Sequence, residues 1–186
     1  GVGNMLYGRL IAGTLKIEQN IKLLPSADKG IIKDLLDIHS ESIPILNAGD
    51  FGRIQIKGIE RDRLIPGTVI CSNNTELRPS TTIICRVLVL ETEGRPLIPG
   101  SNPLIHVGLS HTSARIQRIL KVEKTKKPRK DKSIMLAFPG DLVSLEIKTQ
   151  NPIIVEKYSD QPILGRLVMR HAGQTIAVGI VTDFFK

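Results

Sequence analysis

Six basic residues fall within nine positions in KTKKPRKDK, residues 124 to 132: Lys124, Lys126, Lys127, Arg129, Lys130 and Lys132. Such a run concentrates positive potential at one projecting point, where it meets phosphates or an acidic protein surface, or else stands as a plain solvated loop. Its Pro128 and its lack of apolar residues make it a loop between ARIQRILKV and the next strand. A second charged feature lies in LGRLVMRHAGQTIAVGIV, residues 164 to 181, where Arg166 and Arg170 sit among aliphatics. In an extended run, Leu164, Arg166, Val168 and Arg170 share one face, and Gly165, Leu167, Met169 and His171 the other. The two arginines then project together, roughly 13 Å apart. They either fasten the hairpin to its own domain or offer a charged surface to a partner.

Bond-making chemistry has little support. No Gly-x-x-x-x-Gly-Lys-Ser/Thr phosphate loop occurs, and no Ser, Cys or Asp stands in a nucleophile-elbow context. None of His39, His106, His111 and His171 has the spacing of a zinc protease pair. His106 and His111, five apart, are expected on opposite faces of one strand, as core or hydrogen-bonded histidines rather than ligands of a shared metal. Cys71 and Cys85 lie in the apolar runs VIC and IIC and read as small core hydrophobes, free thiols of a reducing compartment. No metal, catalytic or nucleotide-binding residue is therefore assigned.

Twenty-six basic against eighteen acidic residues leave a net charge of +8 in 186 residues, which favours anionic partners. With aromatics at 3% and no Trp, base stacking is poorly supplied, so backbone contact is the expected mode. No run of about 18 apolar residues marks a membrane span, and no signal peptide opens the chain. The chain starts without Met, inside an apparent strand, as an excerpt of a longer protein would.

The elements that must carry these charges are short Val/Ile/Leu-rich runs separated by Gly, Pro, Asn and Asp, from MLYGRLIAG and NIKLLPS to PIIVEKY, LGRLVMR and TIAVGIV. Regular short strands with turn punctuation make an all-β sandwich or barrel. GIIKDLLDIHSE also scores as a helix through Ile31, Leu35 and Ile38, but a strand with a connection is preferred. The polar, turn-rich SNNTELRPSTT places a domain boundary near residue 80, giving domains 1–79 and 80–186. Each half contains a Gly-Asp turn that launches an alternating strand, NAGDFGRIQI and FPGDLVSLEI, a hint of two units of related construction.

Together these phrases resemble one family. GRLIAGTLKIEQNIKLLPS and AGDFGRIQIKGIERDRLIPGTVIC are similar to domain two of elongation factor 1-alpha-type translational GTPases; RPLIPGSNPLIHVGLSHTSARIQRIL and LGRLVMRHAGQTIAVGIV are similar to the start and the closing hairpin of domain three. The order is right over essentially the whole chain. KTQNPIIVEKYSDQPILGR, with ARIQRIL followed by Lys-Lys-Pro, most resembles the Hbs group of ribosome-rescue GTPases that pair with Pelota. Eukaryotic release factor three is the runner-up, and a Ski-complex adaptor paralogue without GTPase function stays open. Where the family phrase is GRFxLRD, this chain has GRLVMRH, so Leu167 replaces an aromatic and His171 an acid.

The resemblance implies two consecutive antiparallel β-barrels without catalytic function, following a GTPase domain that would hold GTP and magnesium. It implies a cytoplasmic role in ribosome rescue, no-go decay and mRNA surveillance. The implied partners are a Pelota-like decoding factor, the ribosomal RNA backbone and the protein's own GTPase domain, with no membrane. Lys127, Arg129 and Lys130, with Pro128, match a basic stretch of domain three where Hbs-type proteins meet Pelota; Leu167 and His171 are the departures placed at the partner surface. Arg166 and Arg170 match the two arginines of the closing hairpin and are read as fastening the barrel or a domain interface.

Overall fold

A computed structural model describes residues 4–91, 96–124 and 136–185. The chain divides into two compact units, Gly1–Leu77 and Arg78–Lys186. Both are built of antiparallel strands, as the expected all-β class requires.

In the first unit, β1 (Asn4–Arg9), β6 (Phe51–Lys57), β4 (Lys29–Leu36), β3 (Asn20–Leu24) and β7 (Val69–Ser72) pair in that order. The ribbon of β2 (Thr14–Lys16) and β5 (Ile45–Asn47) lies on this sheet, because Leu15 and Leu46 join the core of Ile21, Leu23, Ile32, Leu35 and Ile56. GIIKDLL is strand β4, in which Gly30, Ile32 and Leu35 point inward across a bulge between Ile32 and Asp34. Period-2 burial against a sheet thus prevails over the helical spacing of the same apolar residues.

The second unit is a closed barrel of β10 (Ser110–Lys124), β11 (Leu142–Ile153), β8 (Ser80–Val89), β13 (Gln174–Phe185), β12 (Arg166–His171) and β9 (Leu104–Val107). Ile83, Cys85 and Val87 from β8 meet Val143, Leu145 and Ile147 from β11 in its interior. Burial pushes the Cys85 thiol up to about 12, so it serves as an apolar side chain. Three register shifts along β10 bend this long strand around the barrel. Two of the expected strands differ. PIIVEKY is no separate strand, since β11 ends at Ile153, and LGRLVMR opens with a helical turn, α1 (Pro162–Gly165), started by the preset φ of Pro162.

The two Gly-Asp phrases form the same turn. Gly49 and Gly140 take φ of +101° and +87°, the left-handed values a type II turn requires at its third residue. In each, the Asp N–H donates to the carbonyl three residues back, and the Asp carboxylate accepts the N–H of that same residue: Asn47 at 2.8 Å from Asp50 Oδ2, Phe138 at 2.9 Å from Asp141 Oδ2. The phrases IPGT and IPGS, at 65–68 and 98–101, make the turn again, with φ of +92° at Gly67 and +91° at Gly100. Asp141 is buried at 1% exposure whereas Asp50 is exposed. Asp141→Ala is therefore expected to cost about 1–3 kcal/mol in thermal unfolding, and Asp50→Ala less than about 1; equal losses would contradict this assignment.

Candidate partner-binding surface

The closing hairpin β12–β13 turns through Ala172 and Gly173, whose φ of +47° and +81° suit a tight two-residue turn between right-twisted strands. Leu167 (2% exposed) and Met169 (0%) enter the barrel core, while Arg166, Val168 and Arg170 point outward. The alternation expected from sequence holds from Arg166 to Arg170, and Leu164 falls outside it because it belongs to α1. Arg170 donates through Nη2 to the Gly173 carbonyl, closing its own turn. The Arg166 guanidinium lies 5.5 Å from the centroid of the Tyr158 ring, with Nη2 3.5 Å from its hydroxyl. Tyr158 is held in turn by its N–H to the Val181 carbonyl at 3.0 Å, and Lys157 by an ion pair to Asp183 at 3.0 Å. Hydrogen bonding from Lys157 is the main reason the Asp183 carboxyl is held below the usual range. Arg166 is thus a cation on a ring of its own barrel and Arg170 a donor to a carbonyl of its own turn.

Leu167 requires a correction. Placed at the partner surface by its departure from the family phrase, it packs in the barrel core, because inward positions of β12 alternate with the arginines. His171 is exposed at the edge of the turn, opposite Gln174. Lys127, Arg129 and Lys130 lie outside the described residues, as does the rest of the basic run after Lys124.

His106 and His111 also differ from expectation. They stand on neighbouring strands, β9 and β10, joined by a two-residue turn at Gly108 and Leu109, and they oppose each other directly. Their rings stack at 5.6 Å between centroids. The signal was in the sequence: a glycine between two alternating runs, IHV and SHT, makes a hairpin whose flanking residues pair. His106 Nε2 is buried without a hydrogen-bond partner among the described residues. Burial first, then the charges of His111 and Arg170, hold the His106 imidazole below its ordinary value, which favours the neutral ring.

One outer wall follows from these registers. Val168 on β12 opposes His106 on β9, which opposes His111 on β10; Arg170 opposes Leu104, which opposes Ser113. Two residues beyond Ser113, Arg115 opposes Lys148 of β11. Arg166, Arg170, His106, His111, Arg115 and Lys148 therefore share a wall, and the next outward pair along β10 and β11 is Arg118 with Glu146, joined by an ion pair. Elsewhere on the barrel Glu123 is bound by Arg86 and Ser144, and the Ser144 hydrogen bond is the leading cause of its lowered carboxyl pKa. Nine basic and nine acidic residues precede Arg78, and the stretch from Arg78 to Lys186 holds seventeen and nine, so the whole net charge resides in the second unit. Arg115 and Lys148 carry no sequence motif of their own. Only strand pairing brings them together.

Among the described residues no group of three or more His, Cys, Asp or Glu is arranged to hold a metal, and no helix is long and apolar enough to cross a membrane. The wall offers cations and hydrogen-bond donors on a rigid scaffold, suited to docking an anionic surface.

The chain is an all-β protein whose second unit is a closed six-stranded barrel with a cationic outer wall. Residues 82–182 match the GTP-eEF1A C-terminal domain-like family, and the chain belongs to that family. It is 27% identical over 184 residues to elongation factor 1-alpha of Saccharolobus solfataricus, covering 98% of this chain and 42% of that protein. It is 26% identical over 186 residues to the eukaryotic peptide chain release factor GTP-binding subunit of Zygosaccharomyces rouxii, covering 100% of this chain and 28% of the relative. The crystal structure of sup35 complexed with GDP superposes with a TM-score of 0.89 at 25% identity, over 100% of this chain and 45% of that one. The chain thus spans less than half the length of these relatives.

Proposed function

We propose that this chain is the non-catalytic barrel portion of an Hbs-like translational GTPase, which holds a Pelota-like decoding factor against the stalled ribosome so that the ribosome can be dismantled. The observation that carries the reading is the placement of charge: the net +8 lies wholly in the second unit, whose outer wall gathers Arg166, Arg170, Arg115 and Lys148 and whose strand β10 leads into the basic run. Lys127, Arg129, Lys130 and His171 are the residues proposed to meet the partner, with Arg166 and Arg170 keeping the hairpin in shape. GTP and magnesium belong, in this reading, to a GTPase domain of the parent protein, because the residues of this chain include no phosphate loop. The parent acts in the cytoplasm.

A second reading, translation termination, is favoured by the likeness to the release factor subunit and to sup35. A third, an adaptor linked to the Ski complex that has lost GTPase function, differs in the sequence preceding these barrels. Intact phosphate-loop and switch motifs there support the GTPase, and their loss the adaptor. Competitive capture by Pelota and by eukaryotic release factor one tests the first reading against the second.

A further inference from the structure

We propose that His106 and His111 form a two-imidazole site for a divalent transition-metal ion of the zinc class on the outer wall of the second unit. Five positions apart on one strand they would face opposite ways and share no ion. The hairpin changes this. Val107 opposes Ser110 across the turn at Gly108 and Leu109, so His106 and His111 are the next facing pair and project from one side of the sheet. In a hairpin closed by two residues the pair beside the turn exchanges its hydrogen bonds and the following pair does not, which brings the side chains of that second pair closer together.

The spacing of the rings fits an ion held by both. Zinc binds imidazole nitrogen at about 2.0–2.1 Å, which sets two imidazoles on one tetrahedral ion with their centroids roughly 5–6 Å apart. The two centroids stand 5.6 Å apart, with 29° between the ring planes. Nε2 of His106 is buried without a hydrogen-bond partner among the described residues, and a metal bond supplies what that nitrogen lacks. His111 is exposed, so the pair is open to solvent on its side. Ligation replaces a proton on the ring, and the surroundings of His106 already favour its neutral form. The nearby cation that opposes a bound ion is Arg170, whose Nη2 is turned to the Gly173 carbonyl.

The donor set selects the ion. No third His, Cys, Asp or Glu joins the pair among the described residues. Imidazole without thiolate or carboxylate suits zinc, nickel and copper, whereas magnesium and calcium require oxygen ligands. Two protein ligands are fewer than catalytic or structural zinc sites use, so water completes the shell and the ion exchanges with solvent. Bound there, the ion clips β9 to β10 beside their turn. Nothing in the site depends on the proposed function.

The test is a calorimetric titration of the 186-residue chain with zinc chloride near neutral pH, comparing wild type, His111→Gln, and His171→Gln as a control at an exposed histidine outside the pair. Wild type and control are expected to take up a single ion with a Kd of about 10–100 µM, and His111→Gln to bind at least roughly 10-fold more weakly. In about 1 mM zinc the thermal midpoint of the wild type should rise by about 4 °C or more, and that of His111→Gln should stay where it is. Magnesium in place of zinc should leave both midpoints unmoved. In histidine side-chain NMR the signals of His106 and His111 should shift together as zinc is added. Equal zinc affinity in His111→Gln, movement of the His39 or His171 signals instead, or no uptake at about 1 mM zinc would leave the pair a ring stack only and overturn the site.

Discussion

Gly179→Ala is expected to lower the thermal midpoint of the barrel by about 10 °C or more. A Cβ at Gly179 would collide with the Arg86 carbonyl oxygen and lie 2.7 Å from the Val87 Cα, both backbone atoms of β8. β8 and β13 form one seam of the closed barrel, with Gly179 opposite Val87, so no flexible side chain can move aside. The seam must open or β13 must shift, and overpacking against fixed backbone costs about 3 kcal/mol or more. In a unit of this size each kcal/mol moves the midpoint by roughly 4–8 °C. Gly8→Ala is the matched control: its Cβ would meet nothing within 4 Å, and its φ is not positive. A Gly179→Ala protein that melts with the control would show that β8 and β13 do not approach as described.

Arg129→Glu/Lys130→Glu is expected to weaken capture by Pelota roughly 10- to 100-fold, because like charges brought against a complementary surface cost several kcal/mol. The loss should shrink as salt rises, since exposed charges are screened within about 10 Å at 0.1 M. The thermal midpoint should not move, as KTKKPRKDK holds no aliphatic or aromatic residue to add to a core. Undiminished capture by the variant would remove the basic run from the partner surface.

The fold was legible in the sequence because its strands alternate cleanly and its turns carry Gly and Pro where positive φ is needed. NAGD and FPGD could be matched by eye, and the structure adds IPGT and IPGS as further copies of one turn. LGR and GQTIAVG could be recognised as a family phrase, but why their glycines stand there could not. Gly165 lets α1 lie against the backbone of Tyr158, whose N a Cβ would approach to 2.6 Å, and Gly179 lets β8 pass. The candidate surface was legible only in part. Arg166 and Arg170 share an outward face as their spacing requires. Their partners, Tyr158 and the Gly173 carbonyl, depend on how the segment before α1 folds back and on the turn geometry. Leu167 was misplaced because a departure from a family phrase marks a difference without saying which way the side chain points. His106, His111, Arg115 and Lys148 were missed as a group because cross-strand register, not sequence spacing, assembles them.

The most direct measurement is a competitive titration of the 186-residue chain with purified Pelota and eukaryotic release factor one. Pelota is expected to be held at least about 10-fold more tightly, a difference of about 1.4 kcal/mol. Preference for release factor one, or binding to neither, would contradict the proposed function.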